Sequence, residues 1–172
     1  TVFYRFIAPE AKDDELKEYE KLLRKLYIQK QLWNDEKGAI NYITGLSPEA
    51  YPTFSEFLQL IRQELYADEK TREHHSNLGE YRKRRLEVIE LNIENLVETY
   101  AHLFDGISTI EDFNDEQVVF FSIRHLSKLK DEIAQAQLFN VMSLLWDGML
   151  QNGEPQLAAY TKGTLAFEDA VR

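Results

Sequence analysis

Apolar residues recur at spacings of three and four along the first part of the chain, and this period predicts an amphipathic helix. Asp13 and Asp14 stand where a helix begins, and both are good N-capping residue types. We therefore predict a helix that runs to about Trp33. Its inward stripe is Leu16, Tyr19, Leu22, Leu23, Leu26 and Tyr27.

A second helix is predicted from a capping box, in which Thr53 accepts from a helical N–H and Glu56 reaches back. The stripe behind it is Phe54, Phe57, Leu58, Ile61 and Leu65. The polar stretch 67–77 is predicted to be a loop.

The longest helix is predicted from about Leu78 to Leu103, ending at Asp105-Gly106. Its stripe is Leu86, Ile89, Ile93, Leu96, Val97, Tyr100 and Leu103. A last long helix is predicted over 128–151, because Gly153 and Pro155 end helices. Its inward residues are predicted to be Ile133, Leu138, Val141, Met142, Leu145, Trp146 and Met149.

Two stretches favour strands because they are rich in aromatic and β-branched residues. Residues 2–7 predict a short strand or an extended arm. Residues 117–123 are apolar on both faces, which is typical of a central strand in a covered sheet. Either these two pair, or the second belongs to a sheet whose other strands lie outside the chain. The absence of an initiator Met at Thr1 agrees with an internal cut in a longer protein.

The pattern as a whole predicts a mainly α fold, a bundle of four to five helices with one or two short strands. We divide it into a helical lobe, 1–116, and a strand-helix piece, 117–172, which together form one compact unit.

The composition excludes several kinds of functional site and disfavours some classes of partner. The formal charge is -10, which repels nucleic-acid backbones and anionic lipids. There are no cysteines, so disulfides, thiol nucleophiles and zinc-thiolate sites are excluded. No apolar run is long enough to cross a membrane, so we expect no membrane insertion.

Candidate chemistry is sparse. Lys162-Gly163-Thr164 imitates the end of a phosphate-binding loop but lacks the preceding glycine, which favours a surface turn. His74 and His75 are adjacent and would point about 100° apart on a helix, so they favour solvated residues over a metal site. We predict no catalytic, cofactor-binding or metal-binding residue in this chain.

The basic cluster Arg82, Lys83, Arg84 and Arg85 is the candidate interaction site. Consecutive helical residues fan around the axis, so one hypothesis is a solvated helix start in which Glu80 pairs with Arg84. The alternatives are a contact with DNA or with the nucleotide of a partner subunit.

Three pieces carry a resemblance to a known family: the turn Leu103-Phe104-Asp105-Gly106, the apolar run 118–126 followed by a helix with Leu144-Leu145-Trp146-Asp147, and the helix start 51–58. Their order resembles the segment between the Walker A and Walker B motifs of the conjugative-transfer (type IV secretion) ATPases of the Gram-positive type. Ser122 departs from the family, where many members have an acidic residue.

The resemblance implies a fragment excised from a RecA-like α/β ATPase, whose parent binds ATP and Mg and acts at the cytoplasmic face of the membrane. This piece would be inactive alone, with structural and interaction roles. Its implied partners are other subunits of the ATPase and secretion-channel proteins, with DNA contacted only indirectly. The alternative function is a free-standing, acidic, all-α protein–protein interaction module.

Overall fold

The computed structural model describes residues 2–36, 46–107 and 120–164. Contacts divide the chain into two compact units, Thr1–Thr109 and Ile110–Arg172, which are described separately below. The predicted boundary between residues 116 and 117 lies outside the described ranges. The prediction of a mainly α fold with one or two short strands is confirmed.

The first unit begins with a helix where a strand or extended arm was predicted, and that prediction is wrong. Helix α1 spans Val2–Ile7. Tyr4 is fully buried, its ring stacks on Tyr19 at 4.4 Å between centroids, and its hydroxyl donates to Glu15. These tertiary contacts outweigh the β propensity of the segment, which is a weak local preference.

Helix α2 spans Asp13–Gln29 and ends four residues earlier than the predicted Trp33. The chain turns at Gln31, which has a φ of 60°. Gln31 N donates to Ile28 O and Leu32 N donates to Tyr27 O, the two hydrogen bonds of a Schellman motif. This motif is usually built on glycine, so the sequence carried no obvious stop signal.

The capping box at Thr53 and Glu56 is confirmed at the start of helix α3, Phe54–Leu65. Its buried residues are Phe57, Leu58, Leu60, Ile61 and Leu65. The prediction of a loop over 67–77 misses a small antiparallel hairpin. Strand β1, Tyr66–Asp68, pairs with strand β2, Glu73–His74.

Helix α4 spans Glu80–Thr99 and packs against α2 and α3. Its buried stripe includes Leu86, Ile89, Ile93 and Leu96, all fully buried, as predicted. The predicted continuation to Leu103 is interrupted at Tyr100. A short helix α5, Ala101–Phe104, follows.

The described part of the second unit contains helix α6, Asp131–Thr161, which is the longest described helix. The predicted end near Gly153 and Pro155 is wrong, since both residues lie inside it. Pro155 has no N–H to donate to the carbonyl of residue 151, so α6 continues through it with one backbone hydrogen bond missing. After Thr161 the helix is terminated by a second Schellman motif at Gly163, with φ of 71°: Gly163 N donates to Tyr160 O and Thr164 N to Ala159 O.

The predicted buried strand at 117–123 is wrong for the part that the structure describes. Residues 120–123 form neither strand nor helix, and Phe120 is 92% exposed. Residues 117–119 lie outside the described ranges. An apolar run alone does not build a strand, because its backbone groups need partners on neighbouring strands.

Candidate functional site

The predicted basic cluster is divided by the helix into an inward pair and an outward pair. Arg82 Nε lies 2.7 Å from Glu18 Oε1 on α2, and its Nη2 lies 2.8 Å from Glu64 Oε2 on α3. Arg85 is paired with Glu18 and Asp14 at 3.9 and 3.5 Å. These two arginines therefore join α4 to the neighbouring helices.

The outward pair consists of Lys83, which is half-buried, and Arg84, which is exposed. Within the described ranges no ion pair joins Arg84 to Glu80, although their spacing would allow one. Arg82, Lys83, Arg84 and Arg85 consequently do not form one continuous basic patch. An intermolecular contact at this position would have to use Lys83 and Arg84.

Glu64 is the acceptor that joins the three main helices. Lys25 on α2 and Arg82 on α4 both donate to it. The hydrogen bond from Lys25, supported by Arg82, lowers the pKa of Glu64 below its usual value. The carboxylate is therefore held ionised by two cations that the sequence places far from it.

A second ion-pair cluster surrounds the buried Glu90, which is 5% exposed. Arg62 Nε lies 3.0 Å from Glu90 Oε1, and Arg62 also pairs with Glu94. Tyr66 donates its hydroxyl proton to Glu90 Oε2 at 2.8 Å. Burial, together with that hydrogen bond, raises the pKa of Tyr66 to about 12. The cluster is a satisfied structural network, because every charge in it has a partner.

Two of the sequence pieces that carry the family resemblance meet in the structure. Asp105, in the turn after α5, accepts from Ser55 N at 2.8 Å and from Ser55 Oγ. Its carboxylate thus lies at the N-terminus of α3, where the helix dipole favours negative charge. The ring of Phe3 packs on Phe54 at 5.4 Å and on Phe104 at 5.7 Å between centroids.

The two adjacent histidines lie beside acceptor groups of the protein, but among the described residues only His75 forms a hydrogen bond through its Nε2 atom. His74 Nε2 lies 3.3 Å from Glu87 Oε1, and His75 Nε2 lies 3.1 Å from Gln63 O. Across residues 2–36, 46–107 and 120–164, no group of three or more metal-ligating side chains is assembled. Lys162-Gly163-Thr164 is the C-terminal cap of α6, as the prediction of a surface turn requires.

The apolar face of α6 is exposed, although the sequence patterns predicted it to be buried. Met142, Trp146 and Met149 were predicted to point inward but are 57%, 65% and 64% exposed. Leu138 is also exposed, at 42%, while Ile133 is buried. Their helical spacing puts Leu138, Met142, Trp146 and Met149 on one side of the helix, and we call this set the α6 face.

No protein-family model matches the chain. An uncharacterized protein of Bacillus anthracis, pXO2-09, is 29% identical to it over 170 residues. The match covers 98% of this chain but 25% of that protein, so the chain spans about a quarter of the length of its relative. No solved structure matches.

None of the helices in the described ranges combines the length and the apolar character that crossing a bilayer requires.

Proposed function

We propose that this chain is a non-catalytic helical segment of a larger protein of the conjugative DNA-transfer (type IV secretion) ATPase kind. In this proposal it supplies structural and interaction surfaces beside the nucleotide-binding core of its parent. The observation that carries the interaction role is the exposed α6 face. The location that follows from the proposal is peripheral, at the cytoplasmic side of the cell membrane.

Exposure of the α6 face to water is energetically unfavourable. Fully burying one large apolar side chain is worth roughly 1.5–3 kcal/mol, and this face carries four such side chains. Contiguous apolar patches on a protein surface usually mark an interaction site. A surface outside the described residues that covers the α6 face would therefore gain the burial free energy of several side chains at once.

The resemblance to the conjugative ATPases is supported by the corner at Asp105. Its two motif pieces, Thr53–Ser55 and Phe104–Gly106, are far apart in sequence, yet Asp105 bonds directly to Ser55. They therefore act as one structural feature rather than two independent similarities. The length of the plasmid-borne relative is also compatible with a parent that holds further domains.

ATP and Mg belong, in this proposal, to the parent and not to this segment. The sequence has no glycine-rich phosphate loop ending in Lys-Ser or Lys-Thr. We expect the purified 172 residues to show no ATP turnover. Mg²⁺-dependent hydrolysis that follows the protein through purification would contradict this expectation.

A second candidate is a free-standing acidic interaction module, and one observation favours it. The first unit closes its own core, with Leu22, Ile61, Leu65, Ile89 and Ile93 fully buried. Such a unit has the core needed to fold without help from a larger protein. The two candidates differ in what covers the α6 face: the parent polypeptide, or a separate protein.

The gene distinguishes the two candidates. Under the ATPase proposal, its reading frame encodes a Walker A loop before this segment and an acidic Walker B strand after it. A frame that encodes neither motif would remove the proposal and leave the interaction module.

The interaction role has its own test in the protein made from the complete reading frame. Replacing Met142 and Trp146 by glutamate should lower its melting temperature, because two buried apolar groups become charged. Ser143→Glu is the control for one added negative charge, since Ser143 is exposed and lies off the α6 face. Equal melting temperatures for all three proteins would show that the α6 face is not covered.

A further inference from the structure

A groove of about 610 Å³ runs along the outer side of α2 in the first unit. Its walls are apolar and aromatic, formed by Leu23, Tyr27 and Trp33. Its size falls within the range of roughly 300–1,000 Å³ typical of ligand sites. None of the side-chain contacts described above involves a residue that lines this groove.

The aromatic wall of the groove is held in place by the chain itself. The turn at Gln31 brings Trp33 back beside α2, where the guanidinium of Arg24 lies 5.5 Å from the centroid of its ring. Asp35 accepts from Trp33 Nε1 at 2.9 Å and pairs with Arg24 at 3.8 Å. A wall that is ordered before binding costs a partner less entropy than a mobile one.

The rim of the groove is positively charged. Lys17, Lys21 and Arg24 lie on it at helical spacing, with Glu20 as the acidic neighbour. Lys17 and Lys21 are exposed, and neither forms an ion pair within the described ranges. This makes the groove a local exception on a chain whose net charge is -10.

We infer that this groove binds an acidic peptide segment of a partner protein, with one apolar or aromatic side chain as its anchor. The anchor fills the space between Tyr27 and Trp33, and carboxylates on the side toward the start of α2 meet Lys17 and Lys21. Aromatic side chains in a pocket with a charged rim are typical of protein-interaction hot spots. The inference goes beyond the proposed function, because it holds for either candidate function.

A nucleic acid is the less favoured occupant. Its backbone needs several cations along its path, and on this rim only Lys17 and Lys21 lack an acidic partner among the residues that the structure describes. The overall negative charge of the chain also repels phosphate groups at long range. A short acidic peptide needs only a few positive charges to pair with its carboxylates, and the two lysines supply them.

The test uses the full chain carrying Trp146→Phe, so that Trp33 is the sole tryptophan reporter. The probe is a blocked hexapeptide with a central Leu-Phe flanked by two glutamates on each side. The comparison probes are its lysine counterpart and a short oligothymidylate. We expect the acidic peptide alone to change the Trp33 emission in a saturable way.

The double change Lys17→Glu and Lys21→Glu should weaken binding of the acidic peptide at least about tenfold. The control is Lys70→Glu with Arg84→Glu, which alters the net charge equally but lies away from the groove. Circular dichroism and the melting temperature show whether both variants remain folded.

Three outcomes would overturn the inference. One is an unchanged Trp33 emission at about 5 mM acidic peptide, which corresponds to a negligible affinity. Another is equal weakening in the control variant, which would reduce the effect to net charge. The third is binding of the oligothymidylate that depends on Lys17 and Lys21, which would make the groove a nucleic-acid site.

Discussion

The helices α4 and α6 differ in what happens to their apolar residues. In α4, Leu86, Ile89, Ile93 and Leu96 are fully buried. In α6, Leu157 and Trp146 are each 65% exposed. Both helices contain ample apolar residues, but α4 packs against α2 and α3. Apolar residues in a helix therefore predict that it needs a packing partner, but whether it has one depends on the tertiary fold.

Charges show the same contrast. Acidic and basic groups on α4 form ion pairs with groups on α2 and α3, as Arg82 does with Glu18 and Glu90 does with Arg62. The sequence of α6 contains Asp131, Glu132, Asp147 and Glu154 but no lysine or arginine. A polypeptide that covers α6 would therefore gain from basic residues around its apolar contact.

The largest expected effect comes from one substitution made in both helices. Leu96→Ala should lower the free energy of unfolding by about 2–5 kcal/mol, because it removes a fully buried side chain and leaves a cavity. Leu157→Ala should change it by no more than about 0.5 kcal/mol, because that side chain is mostly in water. Urea unfolding of the purified chain measures both. Similar losses for the two variants would contradict the contrast between the helices.

Breaking the buried ion-pair cluster should have the next largest effect. Arg62→Met leaves Glu90 buried without its cation, at a cost of about 2–3 kcal/mol, somewhat below a fully buried pair because Arg62 is partly exposed. Arg84→Met should be close to neutral, since Arg84 is exposed. Thermal unfolding of the two variants makes the comparison. A neutral Arg62→Met would show that Glu90 does not depend on this ion pair.

The ion pairs at Glu64 should give the first unit a pH-dependent stability. Because the folded pKa is depressed, the unfolded state binds more protons, and stability is present above about pH 4.3, the usual pKa of glutamate. It is lost as the pH falls from there through the lower folded pKa. Glu64→Gln should cost about 1 kcal/mol at neutral pH and progressively less in acid. A cost that stays constant from pH 7 to pH 3 would exclude this origin.

The two Schellman turns offer the smallest comparison. Gln31 occupies a left-handed conformation that glycine adopts without penalty, so Gln31→Gly should stabilise the chain by about 0.5–1 kcal/mol. Gly163→Gln makes the reverse change at the end of α6. It should fray the last turn of α6 and leave the unfolding of the first unit unchanged. Melting temperature and helical circular dichroism distinguish these results.

Local patterns predicted the elements whose signals lie within a few residues. The capping box at Thr53 and Glu56 and the core stripe of α4 follow from spacing alone. The ion pair of Arg82 with Glu18 does not, because its partners are 64 residues apart. Pairing at that distance depends on how the helices pack, and a single sequence contains no direct signal for it.

Errors arose where tertiary contacts overruled local preference. The aromatic start of the chain favours a strand, yet the burial of Tyr4 against Tyr19 holds it in a helix. Phe120 and Ile123 are apolar enough for a buried strand, but the structure leaves them exposed. The groove on α2 was also missed, because it forms only when the turn at Gln31 returns Trp33 to the helix.

Amide hydrogen exchange of the isolated 172 residues, resolved by residue and measured in dilute solution, tests the contrast most directly. Amides protected by a closed core exchange through global unfolding, whereas a helix without cover opens locally. This contrast predicts slow exchange at Ile89, Ile93 and Leu96 in α4, and much faster exchange at Met142, Trp146 and Met149 in α6. Equal protection of the two helices would contradict it, because α6 would then be stabilised within this chain.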